Sequence, residues 1–394
     1  MLYGDVRAVA VDGEASWIDD GFGKLRYGGS DPATPNDLRV KPEFGEAGVV
    51  WHPRFGWSLS GTVVALAQGE GGHKFDAGLS EAYLSYKTLG GGPVKISARA
   101  GLMWPPISLE HSGSNWEVAD TATPSAIGSW IGEEVKVVGL ELTGKGNLGG
   151  HEFAATIAGF NENDTAGALL TFRGWALHDR KALAFGKQPL PPLNEFIEYV
   201  QPRYSHPLIN IDARVLKRPG FYGKLAWTAP VPLHVEFLHY DNNADPVAVN
   251  ANLEWGWRTR FDSLGLVADL GGGRELRAQG LSGRTRMGNT IDGINWIDMK
   301  FRATYTMLTQ RFAHSSVSAR LDLFGTRNHG SAVDLDDDED GWAVTFAAKR
   351  ELGSKLTAFI EYLHVASDRS ARSRASLSPV QSQNQMQMML RAHW

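Results

Sequence analysis

The chain has 394 residues, 45 of them glycine, 13 tryptophan and none cysteine, with a net charge of -5 and a mean hydropathy of -0.25. No stretch approaches the ~18 to 20 uninterrupted apolar residues that a spanning helix requires, which excludes a helical membrane protein. No basic stripe with interleaved aromatics is present, which sets a nucleic-acid partner aside.

Apolar residues are instead dispersed singly among polar ones. A wall that meets lipid on one face and water on the other needs that alternation, and it keeps overall hydropathy low. The absence of cysteine agrees weakly with export through an oxidising periplasm. An alternating segment over 2–10 follows Met1 directly, without the basic and apolar regions of a secretory leader, so the sequence is read as a mature form.

Alternation then predicts strands near 45–52, 56–68, 78–88, 94–103, 134–144, 151–160, 219–228, 233–240, 252–270, 274–287, 297–312, 316–326, 341–350, 355–365 and 384–394. With 2–10 these make about sixteen, the even number that bacterial barrels require. The expectation is all-β: a single transmembrane antiparallel barrel domain over 1–394. The joins at 53–55, 89–93, 145–150, 229–232, 271–273, 313–315 and 351–354 are short and the alternate ones longer, as periplasmic turns and extracellular loops would be. Within 252–270 the phase changes between Trp257 and Leu264, so a bulge or a missed turn is expected.

Two long connections invite functional readings. The third loop, 103–133, carries Pro105, Pro106 and Pro124, which forbid ladder pairing. Folded inward, it would narrow the pore with Glu110, His111, Glu117, Asp120, Glu133 and Glu134; the alternative is a lid over the outer mouth. The fourth, 161–219, places Leu169, Leu170, Phe172, Trp175, Ala176 and Leu177 at helix-like spacing before Pro189, Pro191 and Pro192. That predicts a short helix in the mouth or a cap packed on neighbouring loops.

Reading apolar positions as lipid-facing puts Met299, Phe301, Ala303, Tyr305 and Met307 outward and Asp298, Lys300, Arg302 and Thr304 inward. On 316–326 the same rule puts Val317, Ala319, Leu321 and Leu323 outward and Ser318, Arg320 and Asp322 inward. The basic pore wall then comprises Lys95, Arg99, Lys136, Lys224, Arg258, Arg260, Arg277, Lys300, Arg302, Arg320 and Arg391, nearly balanced by carboxylates such as Glu141, Glu236 and Glu361. A basic wall facing an acidic third loop would favour polar or zwitterionic solutes. Trp51, Trp57, Trp227, Trp255 and Trp394 lie near strand ends, where an interfacial girdle belongs. In the acidic run 334–340, Asp334, Asp336, Asp337 and Asp338 offer hard oxygens for a surface Ca²⁺ bridging lipopolysaccharide phosphates, although an EF-hand's glycine and distal glutamate are missing. The alternative there is a solvated acidic patch.

The last segment sets Met386, Met388, Leu390, Ala392 and Trp394 on one face. It resembles the closing strand of outer-membrane barrels, which implies recognition by the barrel assembly machinery, with Trp in place of the usual terminal Phe. The stretches "ARAGLMWPPISLEHSG" and "WIGEEVKVVGLELTG" resemble the phosphate-selective porin group and related general porins. That resemblance implies a trimer in the bacterial outer membrane. It also implies a phosphate site built from basic residues on the constriction loop, but 103–133 contains no Lys or Arg, so that site is not carried over. An enzyme would need more than His314, Ser315 and Ser316 in a short turn, and an energy-coupled receptor would need a plug domain and up to 22 strands. The expectation is therefore a porin passing small hydrophilic solutes through a lipid- and lipopolysaccharide-embedded barrel, without enzymatic activity or a cofactor beyond the surface Ca²⁺. The rival is an adhesion or assembly barrel with a closed lumen.

Overall fold

The computed structural model describes residues 1–29, 38–69, 75–90, 92–111, 113–212, 218–332 and 335–394. Its barrel strands are β1 (Leu2–Val11), β2 (Arg39–Trp51), β3 (Leu59–Gly69), β4 (Phe75–Lys87), β5 (Val94–Met103), β6 (Val137–Leu148), β7 (His151–Asn161) and β8 (Gly220–Thr228). There follow β9 (Leu233–Asp241), β10 (Arg258–Gly271), β11 (Arg274–Ile291), β12 (Ile294–Arg311), β13 (Ser315–Asn328), β14 (Glu339–Glu351), β15 (Leu356–Arg369) and β16 (Val380–His393). Each is antiparallel to its chain neighbours, and β1 pairs with β16 to close the barrel. The seam ends on Leu2 and Trp394, whose backbone N–H groups donate to each other's carbonyls at 2.9 and 2.8 Å.

Closure leaves no open sheet edge, the condition for strands to lie in hydrocarbon. On β13, Val317, Ala319, Leu321 and Leu323 are exposed to the outside, while Ser316, Ser318, Arg320 and Asp322 are buried inside. On β16, Met386, Met388 and Leu390 point out; Gln383, Gln385, Gln387 and Arg391 point in. A closed sixteen-stranded barrel with an apolar outer belt is the architecture of the bacterial outer membrane. Among the described residues no helix is long and apolar enough to cross a membrane, which says nothing of strands. At the short-turn end Trp51, Phe55, Trp57, Phe312 and Trp394 are exposed, as an interfacial ring would be. Trp255 is not part of that ring: it is buried in a loop against Trp296, with ring centroids 5.2 Å apart.

Three sequence-based expectations are corrected. Residues 252–257 are loop, β10 begins at Arg258, and its register with β11 runs unbroken to Asp269, so of the two alternatives there is no bulge between Trp257 and Leu264, and the expected strand instead includes loop residues before Arg258. The apparent phase change arises because the apolar Phe261 faces in and Leu264 faces out. Residues 288–296 are not a long loop either. The β11–β12 ladder continues to Ile291 and Ile294, turning on Asp292 and Gly293, both at positive φ (50° and 79°) as a two-residue Asp-Gly hairpin requires.

The third correction concerns β12, whose facing is opposite to the one read from apolarity. Phe301, Ala303, Tyr305 and Met307 are buried inside, and Lys300, Arg302, Thr304 and Thr306 are exposed outside. The reason is a helix in the lumen: α1 (Ala126–Glu134) packs on β12, with Trp130 centred 5.2 Å from Phe301 and 5.3 Å from Phe261. Apolar therefore does not mean lipid-facing where an inserted segment supplies an apolar partner.

Candidate functional site: the lumen and its inserted loops

Residues 104–111 and 113–136 leave β5 and cross the barrel interior before β6 begins. Pro105 and Pro106 end strand pairing, and Ser125 caps α1 by accepting from the Gly128 N–H at 3.0 Å. The segment is tied to the wall around much of its circumference. The Gln279 side-chain amide donates to Ile107 O, and Lys224 donates to Pro106 O at 2.9 Å. Asn115 bonds the Tyr3 hydroxyl, and its backbone N–H donates to Glu81 at 2.6 Å. Glu361 accepts from the Ala122 and Thr123 N–H groups at 2.7 and 3.1 Å, and Asp322 from Ala126 N–H at 3.0 Å.

The acidic residues of this loop mostly face protein. Glu110 is buried, accepting from Ser125 Oγ at 2.5 Å and lying 3.1 Å from the Arg320 guanidinium. Asp120 is buried between Arg277 at 2.9 Å and Arg311 at 2.5 Å. Glu117 is half-buried, 3.9 Å from Arg391. His111 stacks on Trp116 at 3.8 Å between centroids, and burial with the Lys181 charge holds its imidazole well below the usual range, hence neutral.

Glu133 and Glu134, at the end of α1, meet a second inserted segment. Residues 165–183 are buried without exception and include α2 (Ala168–Phe172). Glu133 pairs with Arg173, with Arg180 at 3.3 Å and with His178 at 3.0 Å. Burial works to raise its carboxyl, but Arg173, His178 and Arg180 outweigh it and hold it below the ordinary range. Glu134 accepts from Trp130 Nε1 at 2.6 Å and Leu169 N–H at 3.0 Å, with no ion pair among the described residues, and burial pushes it up to about 7.

The sign of the resulting pH effect is fixed. A carboxyl whose packed-state pKa is raised binds its proton more tightly when packed, so the α1–α2 contact is fully favoured below about 4.5 and weakens as pH rises through about 7. The inserted loops should resist protease more at pH 5 than at pH 8. Glu134→Gln should abolish that difference, and a pH response unchanged in the variant would assign it to another group.

The fourth loop and the N-terminal loop form a further ion network that the sequence reading missed. Asp179 bridges Arg7 at 2.5 Å and Arg26 at 2.6 Å, and these two arginines outweigh burial to keep it well below the usual carboxylate range. Lys181 pairs with Glu46, and Lys24 with Glu339. The signal available was His178-Asp179-Arg180-Lys181, four consecutive titratable residues inside an otherwise apolar run.

Of the basic residues expected on the wall, Arg277, Arg320 and Arg391 point inward and bind the third loop. Arg99 also points inward, pairing with Glu141 at 2.7 Å, and Lys95 lies on the same face of β5. Lys136 is buried just before β6, its ammonium 3.6 Å over the Trp104 ring. Arg258, Arg260, Lys300 and Arg302 are corrections: they lie on the outer face. In the acidic run, Asp334 lies outside the described residues. Asp337 is buried against Arg374 at 3.0 Å, Asp338 lies 3.8 Å from Arg327, and Asp336 accepts from the Asp338 N–H at 3.4 Å. Among the described residues no group of three or more His, Asp or Glu converges as a metal site.

The fold and the looped lumen together define a porin-like outer-membrane barrel. No protein-family model matches the sequence, and no curated protein matches it. Solved structures do. The outer membrane channel DcaP of Acinetobacter baumannii is 12% identical with a TM-score of 0.57, the alignment covering 100% of this chain and 96% of that one. A loop L8 deletion mutant of OmpT, an outer membrane protein of Vibrio cholerae, is 12% identical with a TM-score of 0.52, covering 100% and 98%. At that identity the likeness shows the fold.

Proposed function

We propose that this protein is an outer-membrane channel for passive diffusion of small hydrophilic solutes, its constriction made by the third loop together with residues 165–183. The observation that carries the reading is the hydrophilic inner face of β5 to β9. There Lys95, Arg99, Thr143, Lys145, Glu152, Lys224 and His234 line the short-turn half of the lumen and remain exposed or only half-buried. Charged side chains facing inward below an inserted loop are solvated by a water-filled vestibule and tune which ions enter it. Paired signs such as Arg99 with Glu141 and Lys145 with Glu152 favour dipolar or neutral solutes over one ion sign. The trimer implied by the sequence resemblance belongs to this proposal.

The unbroken burial of 120–137 and 165–183 favours a second reading, a closed barrel acting through its surface loops. Planar-bilayer recording of the purified protein separates the two. Discrete conductance steps, with uptake of small sugars in liposome swelling, are expected of the channel. A protein inserted in the bilayer that stays silent at all voltages supports the closed barrel.

A further inference from the structure

The outer face of β10 to β13 carries charges that a lipid-facing wall would ordinarily exclude. In register across four neighbouring strands, Arg260 lies opposite Arg284, Arg284 opposite Lys300, and Lys300 opposite Arg327; Arg258 lies opposite Arg286. Cations directly opposite one another on a sheet repel. Four carboxylates relieve part of the row: Asp241 meets Arg258 at 3.1 Å, Asp298 pairs with Arg284, and Asp340 and, at 3.8 Å, Asp338 pair with Arg327. Among the described residues, Arg260, Arg286 and Lys300 have no carboxylate within 4.0 Å. Arg302, with its side chain 76% exposed, reaches Asp340 only at 4.0 Å.

The row sits at the long-loop end of the strands, opposite the end where the short turns and the exposed Trp51, Trp57 and Trp394 lie. Two grooves join there. The smaller, about 370 Å³, is lined by Lys300, Arg302, Arg327, His329 and Ser282. The larger, about 930 Å³, runs below it between Phe237 and Leu264 on one side and Leu323 and Trp342 on the other, with Gly280 and Thr304 between them and with Asp262, Asp340 and Asp368 also in its lining. Ser282 and Arg302 border both.

We propose that this face binds a phosphate-bearing, multiply acylated glycolipid of the outer leaflet, the chemistry of lipopolysaccharide. Guanidinium groups bind phosphate bidentately, and an ammonium serves as a point charge beside them. The cation row supplies phosphate partners at the depth of the headgroups, and the apolar groove takes an acyl chain directly beneath. Neither half suffices: the groove alone fits any lipid, and the cations alone any anion. The site is separate from the lumen, so it stands or falls independently of conductance.

The test uses the full-length barrel in detergent, with purified bisphosphorylated lipid A as the probe and the same lipid A stripped of its phosphates as the reference. Native mass spectrometry should show the phosphorylated form retained at least tenfold better, and competition on the wild-type protein needs no variant. Joint Arg260→Gln, Lys300→Gln and Arg302→Gln substitution should abolish that preference, since all three side chains lie outside the lumen and the described ion network of the inserted loops. Filling the groove with Thr304→Trp should lower retention of both lipids. Equal retention of the two lipids by the wild type overturns the proposal. So does a triple variant that keeps the preference, or one that changes only the oligomeric state and thereby assigns the face to a second copy of the chain.

Discussion

Arginine in place of Leu321 should prevent assembly of the barrel. Leu321 lies midway along β13, exposed on the outer face between Thr306 of β12 and Val344 of β14. A cation at the midplane costs about 2 to 4 kcal/mol, a large share of the ~5 to 15 kcal/mol that holds a typical fold. The informative comparison is one strand away. Thr306 sits beside Leu321 on the lipid side, so Thr306→Leu should be accepted without loss of yield. Met307 faces the interior opposite Arg320, so Met307→Asp would bury a carboxylate inside the packed lumen rather than solvate it in a channel. Heat-modifiable migration of each variant reads the folded fraction. Normal assembly of Leu321→Arg would place β13 the other way round.

The barrel was legible because period-two alternation follows directly from having lipid on one side. β13, β15 and β16 read correctly for that reason: their inner faces carry Arg320, Glu361, Gln387 and Arg391, polar groups that the inserted loops bind. β10 and β12 read incorrectly because the same rule treats every apolar residue as a lipid contact. Inside this barrel Phe261, Phe301 and Tyr305 meet Trp130 and the rest of an internal apolar cluster, while the cations of those strands face out. An alternating strand states only that its two faces differ. Which face meets lipid depends on what fills the lumen, and that is decided by loop residues more than a hundred positions away in sequence.

The third loop's composition pointed to an insertion, since three prolines bar it from the sheet and aromatics give it material to pack. Its partners were not legible. Glu110, Glu133 and Asp120 were read as carboxylates facing an aqueous pore, yet each is buried against arginine. Neutralising Glu110 and Asp120 should accordingly loosen the loop rather than adjust the sign of ions that pass, leaving Glu117 as the half-buried carboxylate of this loop beside the Arg391 wall.

Removal of the Arg320 guanidinium should have the largest effect on the lumen. Arg320 is buried and gathers the loop from several directions. It donates to Asp322 at 2.8 Å, to Glu110 at 3.1 Å, to the carbonyls of Thr123 and Pro124 at 2.8 Å each, and to Thr345 Oγ1 at 3.2 Å. Arg320→Leu leaves two carboxylates and two carbonyls without that donor, and breaking a buried pair from one side costs about 3 to 5 kcal/mol. The ladder of β13 does not depend on this side chain, so the barrel should still assemble. What gives way is the loop, because water entering beside Glu110 and Asp322 is the cheapest way to solvate them. Higher single-channel conductance, a larger solute limit in liposome swelling and new protease cleavage within 104–136 are the expected results. Arg320→Lys should fall between the variant and the wild type, since an ammonium keeps the charge but cannot reach all these acceptors from one planar group. Adding Glu110→Gln and Asp322→Asn to Arg320→Leu removes the uncompensated charges and should recover part of the protease resistance. An Arg320→Leu protein with unchanged conductance and unchanged solute limit would move the restriction to residues 165–183, whose own anchor is the Glu133 cluster with Arg173, His178 and Arg180.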